Sequence, residues 1–182
     1  MKKTKEFINI NLGQKIGVHL SGANKLQAFK YMKLENIKKF MSITSELATA
    51  GQPSEDQLNE VFHAGFEVVI NLGLLDPKYC LKDEATIVKS LGLQYHHIPV
   101  SFQEPNLDDL QNFFDILNRL KNKKVFVHCA ANKRVSCFIA LYGEAKLGWS
   151  RKKADDIIKK IWHPNEVWKL FIGHVRTKII NE

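Results

Sequence analysis

The stretch 124–147 constrains this chain more than any other. It runs from the apolar residues Val125, Phe126 and Val127 to His128, crosses six residues from Cys129 to Arg134, and enters a helical pattern at Val135. An apolar strand delivered so abruptly into a helix belongs in a sheet with helices packed over it. The rest of the sequence repeats that alternation. Strand patterns are expected over 42–50, 67–72, 93–100 and 124–128, and helices over 55–64, 83–91, 106–120, 135–147, 151–161 and 165–179. Ser54, Asn106 and Ser150 stand where N-cap residues belong, and acidic Glu55, Asp56, Asp108 and Asp109 follow in first turns. Gly65, Gly92 and Gly148 end three of the helices. The expected fold class is α/β, with a mainly parallel central sheet flanked by helices.

Charge divides the chain unevenly. The net charge is +8, and residues 1–40 hold nine Lys against two Glu, whereas the rest is nearly balanced. We therefore expect a basic, solvated lead-in over 1–40 and one α/β domain over 41–182. No nucleic-acid partner is expected, since neither interleaved aromatics nor a recognition motif accompanies these lysines. No apolar run approaches about 18 residues, so no membrane span is expected. The charged start lacks an apolar stretch behind it, which points to a cytoplasmic protein.

Cys80, Cys129 and Cys137 are too few to pair completely and lack the spacing of a zinc cluster. His96 and His97 point to opposite faces of a strand. No metal or other cofactor is expected. Cys80 and Cys137 read as structural, while Cys129 has unusual neighbours. A strand-to-helix junction aims successive backbone N–H groups and the positive end of a helix dipole at one spot. Arg134 can add a planar two-pronged clamp for an oxyanion. A thiol there is favoured as thiolate, its pKa falling from about 8.5 to ~3.5–7.5 in known sites of this kind. Such a thiolate can attack a phosphoester.

At His128-Cys129-Ala130-Ala131-Asn132-Lys133-Arg134-Val135-Ser136 the sequence resembles the cysteine-dependent protein tyrosine phosphatase superfamily, in its small bacterial dual-specificity-like branch. The family pattern is HCxxGxxR followed by Ser or Thr. The segments LATAGQPS (47–54), AGFEVVINL (64–72), HHIPVSF (96–102) and IWHPNEVW (161–168) extend the likeness over roughly residues 40–175. The resemblance implies a protein tyrosine phosphatase-like fold and a phosphomonoester hydrolase working through a cysteinyl-phosphate intermediate. Its substrate would be a phosphorylated protein or a small phosphoester. Cys129 then resembles the nucleophile, Arg134 the phosphate clamp, Ser136 the hydroxyl bonded to the sulfur, and His128 the residue that holds the loop. The amides of Ala130, Ala131, Asn132, Lys133 and Arg134 would cradle the phosphoryl oxygens.

Three positions depart from the pattern. Arg134 stands five residues after Cys129 rather than six, Asn132 replaces the loop glycine, and Ser101 stands where the branch places its acidic proton donor. Glu104 is the nearest carboxyl in the irregular stretch 99–105. Gln52 and Asn71 end elements that can face the loop. Two other functions fit the same segment: a phosphate-binding module with little turnover, and a rhodanese-like sulfur carrier, which also sets a Cys on a strand-to-helix loop.

Overall fold

Short apolar runs build the sheet. In the computed structural model, which describes residues 34–180, five strands hydrogen-bond in the order β1-β2-β5-β3-β4. They are β1 (Met41–Ser42), β2 (Leu47–Ala50), β3 (Val68–Asn71), β4 (Gln94–His97) and β5 (Val125–His128). The last four run parallel, and β1 folds back antiparallel on β2. β5 lies between β2 and β3, with Ala50 and Asn71 both opposite His128. Cys129 therefore leaves the sheet from its middle.

The two-residue period of a strand sorts the side chains. Leu47, Val68, Ile70, Val125 and Val127 face one core, while Ala48, Ala50, Val69 and Phe126 face another. Helices α1 (Glu55–His63) and α2 (Glu84–Ser90) cover the second face through Leu58, Val61 and Val88. Helices α3 (Leu107–Arg119), α4 (Lys133–Lys146), α5 (Arg151–Ile161) and α6 (Glu166–Val175) cover the first. This two-sided cover explains why the central strands read as continuous apolar runs rather than alternating ones. Ser54, Asn106, Ser150 and Asn165 each accept the backbone N–H three residues on, so local sequence sets the starts of α1, α3, α5 and α6.

α4 is the central helix, buried at every position from Arg134 to Gly143. Gly143 is required there, because an added Cβ would lie 2.0 Å from the Trp149 ring. Among the described residues no helix is long and apolar enough to cross a membrane.

Three expectations change. The stretch 42–50 is a hairpin, not one strand, since the Ile43 and Thr44 amides both donate to the Leu47 carbonyl (2.9 and 3.1 Å). α4 begins at Lys133 rather than 135, because Asn132 takes a left-handed conformation (φ 58°) that turns the chain into the helix early. The last helix ends at Val175 and continues as a π-helical turn over Arg176–Ile180, where Arg176 reaches Glu144 (3.0 Å) and Asp155 (2.7 Å). Packing also begins before residue 41, for Leu34 and Ile37 are buried against Phe126 and the α1 side chains. Residues 1–33 of the expected lead-in lie outside the described residues.

Candidate active site

The site lies where β2, β5 and β3 end, the edge at which parallel sheets bind ligands. Cys129 is almost wholly buried, and its N–H points to the Ala50 carbonyl at 3.4 Å. Across from it, Gly73 leaves space: a Cβ there would lie 3.8 Å from Cys129 Cα and 2.8 Å from Asn71 Oδ1. The loop then runs through half-buried Ala130 and Ala131 to Asn132, the N-cap of α4. Asn132 does not cap with its side chain. Its amide instead donates sideways to the Lys39 carbonyl (2.8 Å) and Thr49 Oγ1 (3.0 Å). The first helical closure is Ser136 N–H to Asn132 O (2.9 Å), so the Lys133, Arg134 and Val135 amides keep no partner within the helix. Uncapped N–H groups at the positive end of a 14-residue helix favour an anion beside Cys129.

Aromatic groups form one wall of the loop. The Arg134 side chain is buried and donates from Nη1 to the Val100 carbonyl (2.8 Å), one of its five N–H donors. Trp168 Nε1 donates to the Phe102 carbonyl (2.9 Å). Lys133 Nζ sits 5.7 Å from the Phe102 ring centre and 5.1 Å from that of Trp162. The stretch 100–102 is thus fastened to the start of α4 by the Arg134 hydrogen bond and the Lys133 cation over Phe102, and to α6 by the Trp168 hydrogen bond. The Ser136 hydroxyl donates to the Lys133 carbonyl (2.9 Å), one turn back. The early start of α4 causes this, since it turns position 136 into a helix-interior serine. Glu104 is exposed, and only its backbone is tied, by an N–H bond to Ser101 Oγ (3.1 Å). Val135 is buried in the core.

A buried polar cluster forms the other wall. His128 Nε2 lies 2.9 Å from Glu84 Oε1, and both side chains are buried. Asn71 Nδ2 donates to the same oxygen (3.1 Å) and lies 3.1 Å from the Tyr95 hydroxyl, while Gln52 Nε2 donates to Glu84 Oε2. Asn71 Oδ1 accepts the Gly73 N–H (2.6 Å). Burial pushes the Glu84 carboxyl up, but the His128 bond and charge, with the Gln52 and Tyr95 hydrogen bonds, outweigh it and hold the group below its usual 4.5. Burial, and then the Glu84 charge, raise the Tyr95 phenol well above its ordinary range. Sequence reasoning missed Glu84. In the first turn of a seven-residue helix it reads as an acid that complements the dipole, and nothing local shows that it is buried.

The other cysteines and histidines differ from Cys129. Cys137 is buried in α4 beneath the site, and burial pushes its thiol up to about 12. His97 Nε2 lies 2.8 Å from the Gly73 carbonyl, while burial and then Arg119 lower the His96 pKa. Among the described residues no three metal-ligating side chains converge.

Comparison with known proteins bears on the family and the fold. No curated protein matches the chain. A DUF442 protein from Shewanella putrefaciens CN-32, solved by crystallography, is 30% identical, with 81% of this chain and 97% of that one covered at a TM-score of 0.73. The core catalytic domain of the PP-IP phosphatase SIW14 from S. cerevisiae shares the fold at 17% identity, with 80% and 90% covered and a TM-score of 0.65. Tk-PTP in its active form shares it at 18%, with 77% and 97% covered and a TM-score of 0.66. Residues 24–157 match the family described as "DSP-PTPase phosphatase fused to NAD+ Kinase". A match over most of the chain, on the fold of the protein tyrosine phosphatases, makes this protein a member of that dual-specificity-like phosphatase family.

Proposed function

We propose that this protein hydrolyses phosphomonoesters by nucleophilic attack of Cys129, through a cysteinyl-phosphate intermediate. One observation carries the reading: Cys129 follows the end of the central strand and leads into the uncapped N-terminus of α4, whose first turn holds the buried Arg134 side chain. The thiolate forms the S–P bond as the P–O bond to the leaving group breaks. Water then cleaves the S–P bond, releasing phosphate and restoring the thiolate. The amides of Ala130, Ala131, Asn132, Lys133 and Arg134 hold the phosphoryl oxygens, and the Arg134 guanidinium meets the charge that builds on them.

The leaving oxygen needs a proton when it is a poor leaving group. Glu104 is the carboxyl we assign to that step, since Val100 in the same stretch is tied to Arg134 at the end of the loop. A cleft of about 370 Å³, with Ala130 at its edge and Pro53, Tyr79 and Leu81 in its walls, is where the body of a phosphorylated protein or small phosphoester would rest.

The test is p-nitrophenyl phosphate hydrolysis in EDTA, with acid-quenched peptide mass analysis. Wild type should turn over and carry phosphate on the Cys129 peptide, and Cys129→Ser should lose all turnover while still binding phosphate. Glu104→Gln should lose about 10²–10⁴-fold on alkyl esters and far less on the nitrophenyl ester. Phosphate binding without turnover would make the protein a recognition module. The Arg134 tie to Val100 and the Ser136 tie to Lys133 favour that second reading. A persulfide formed on Cys129 from thiosulfate would instead make it a sulfur carrier.

A further inference from the structure

The buried acid missed by sequence reasoning has a geometry that core packing does not require. Glu84 is 3% exposed and His128 0% exposed; His128 directly precedes Cys129, and Glu84 lies one hydrogen bond beyond His128. The contacts to Glu84 from His128, Asn71 and Gln52 all come from nitrogens, and the two amide nitrogens are donors. Two acceptor oxygens and no donor suit such a setting, which a carboxylate offers and an amide does not. With donors already on the carboxylate, the His128 nitrogen facing it must carry its proton. The preceding residue, Asp83, adopts a left-handed backbone (φ 56°) and makes no capping bond, so the chain enters α2 unfavourably where it delivers Glu84 inward.

We propose that Glu84 is a positioning residue of the active site: by accepting from His128 Nε2–H it fixes that ring's tautomer and orientation, and so holds Cys129 in line for attack. Asn71 extends the same hold, because the oxygen it presents to the Gly73 amide keeps the facing backbone close to Cys129 Cα. The inference rests on Cys129 being the nucleophile. It adds a residue that touches neither substrate nor sulfur.

The test uses iodoacetamide alkylation of Cys129, mapped by mass, beside kcat and KM on p-nitrophenyl phosphate. Glu84→Gln keeps the shape and sets an amide N–H₂ against the donors. It should lower both the alkylation rate and kcat by about 10–100-fold, with KM within threefold. In a His128→Gln background, the same change should cost less than a further threefold, since it acts through the ring. Full losses in both backgrounds, or a Glu84→Gln protein with wild-type alkylation and kcat, would overturn the proposal. Should the variants not fold, ¹⁵N NMR of wild type decides: a proton on His128 Nε2 supports it, and a bare Nε2 overturns it. Failure of the underlying reading looks different, for then wild-type Cys129 is inert to iodoacetamide and no ester is hydrolysed.

Discussion

The two walls of the Cys129 loop solve one mechanical problem with opposite chemistry. On the β3 and α2 side, Glu84, His128, Asn71, Gln52 and Tyr95 hold the loop through buried hydrogen bonds. On the α6 side, Phe102, Trp162 and Trp168 hold it through packed rings, with hydrogen bonds to two carbonyls and Lys133 above the rings. A polar wall fixes angles and protonation, but each member left without its partner carries a desolvation cost. An aromatic wall fixes distance through contact area and is indifferent to pH. The first sets the chemistry of the strand end that carries Cys129. The second sets where the 99–105 stretch sits above it.

Truncation of the aromatic wall tests the comparison with the largest effect. Trp168 is fully buried and packs against Phe102, Phe138, Trp162 and Phe171. Trp168→Ala should cost about 3–5 kcal/mol in urea unfolding, by the same amount at pH 5 and pH 7. A pH-dependent loss would show that the two walls are not separable.

The polar wall should respond differently. Glu84 has a folded pKa below 4.5, so its stabilisation is present above that value and is lost as pH falls below it through the folded pKa. At pH 7 Glu84→Gln should cost about 1–3 kcal/mol. The gap to wild type should close as unfolding is measured at progressively lower pH, under 4.5. A gap of constant size would mean that the carboxylate charge plays no part.

The smallest effect belongs to Lys133. Its ammonium lies over the Phe102 and Trp162 rings at the half-buried edge of the aromatic wall. Lys133→Met should cost only about 0.5–1 kcal/mol, seen as a small shift of the thermal midpoint. The KM for p-nitrophenyl phosphate should stay within about twofold. A large rise in KM would put the Lys133 side chain among the groups that bind the phosphate.

Local sequence was a good guide wherever a residue acts on its own neighbours. Ser54, Asn106 and Ser150 announce their helices because an N-cap bonds within three residues. The run from Val125 to His128 announces a strand buried on both faces. Cys129 and Arg134 stand out because a strand-to-helix junction with a thiol and a guanidinium is chemically distinctive within six residues. The hairpin at Ile43 to Leu47 was less legible, since β-branched residues suit either a strand or its turn.

Sequence by itself determined the alternation of strands and helices, and with it the α/β class and the place where Cys129 emerges. Only the tertiary structure decided what surrounds that thiol. Glu84 reaches His128 across 44 residues, Asn132 reaches Lys39 across 93, and Trp168 reaches Phe102 across 66. The same folding turned Ser136 back onto its own helix. A capping bond or an apolar period closes within a turn, so neighbouring residues record it. A buried carboxylate becomes a partner only when parallel strands and their covering helices bring distant segments together, and no local pattern encodes that meeting.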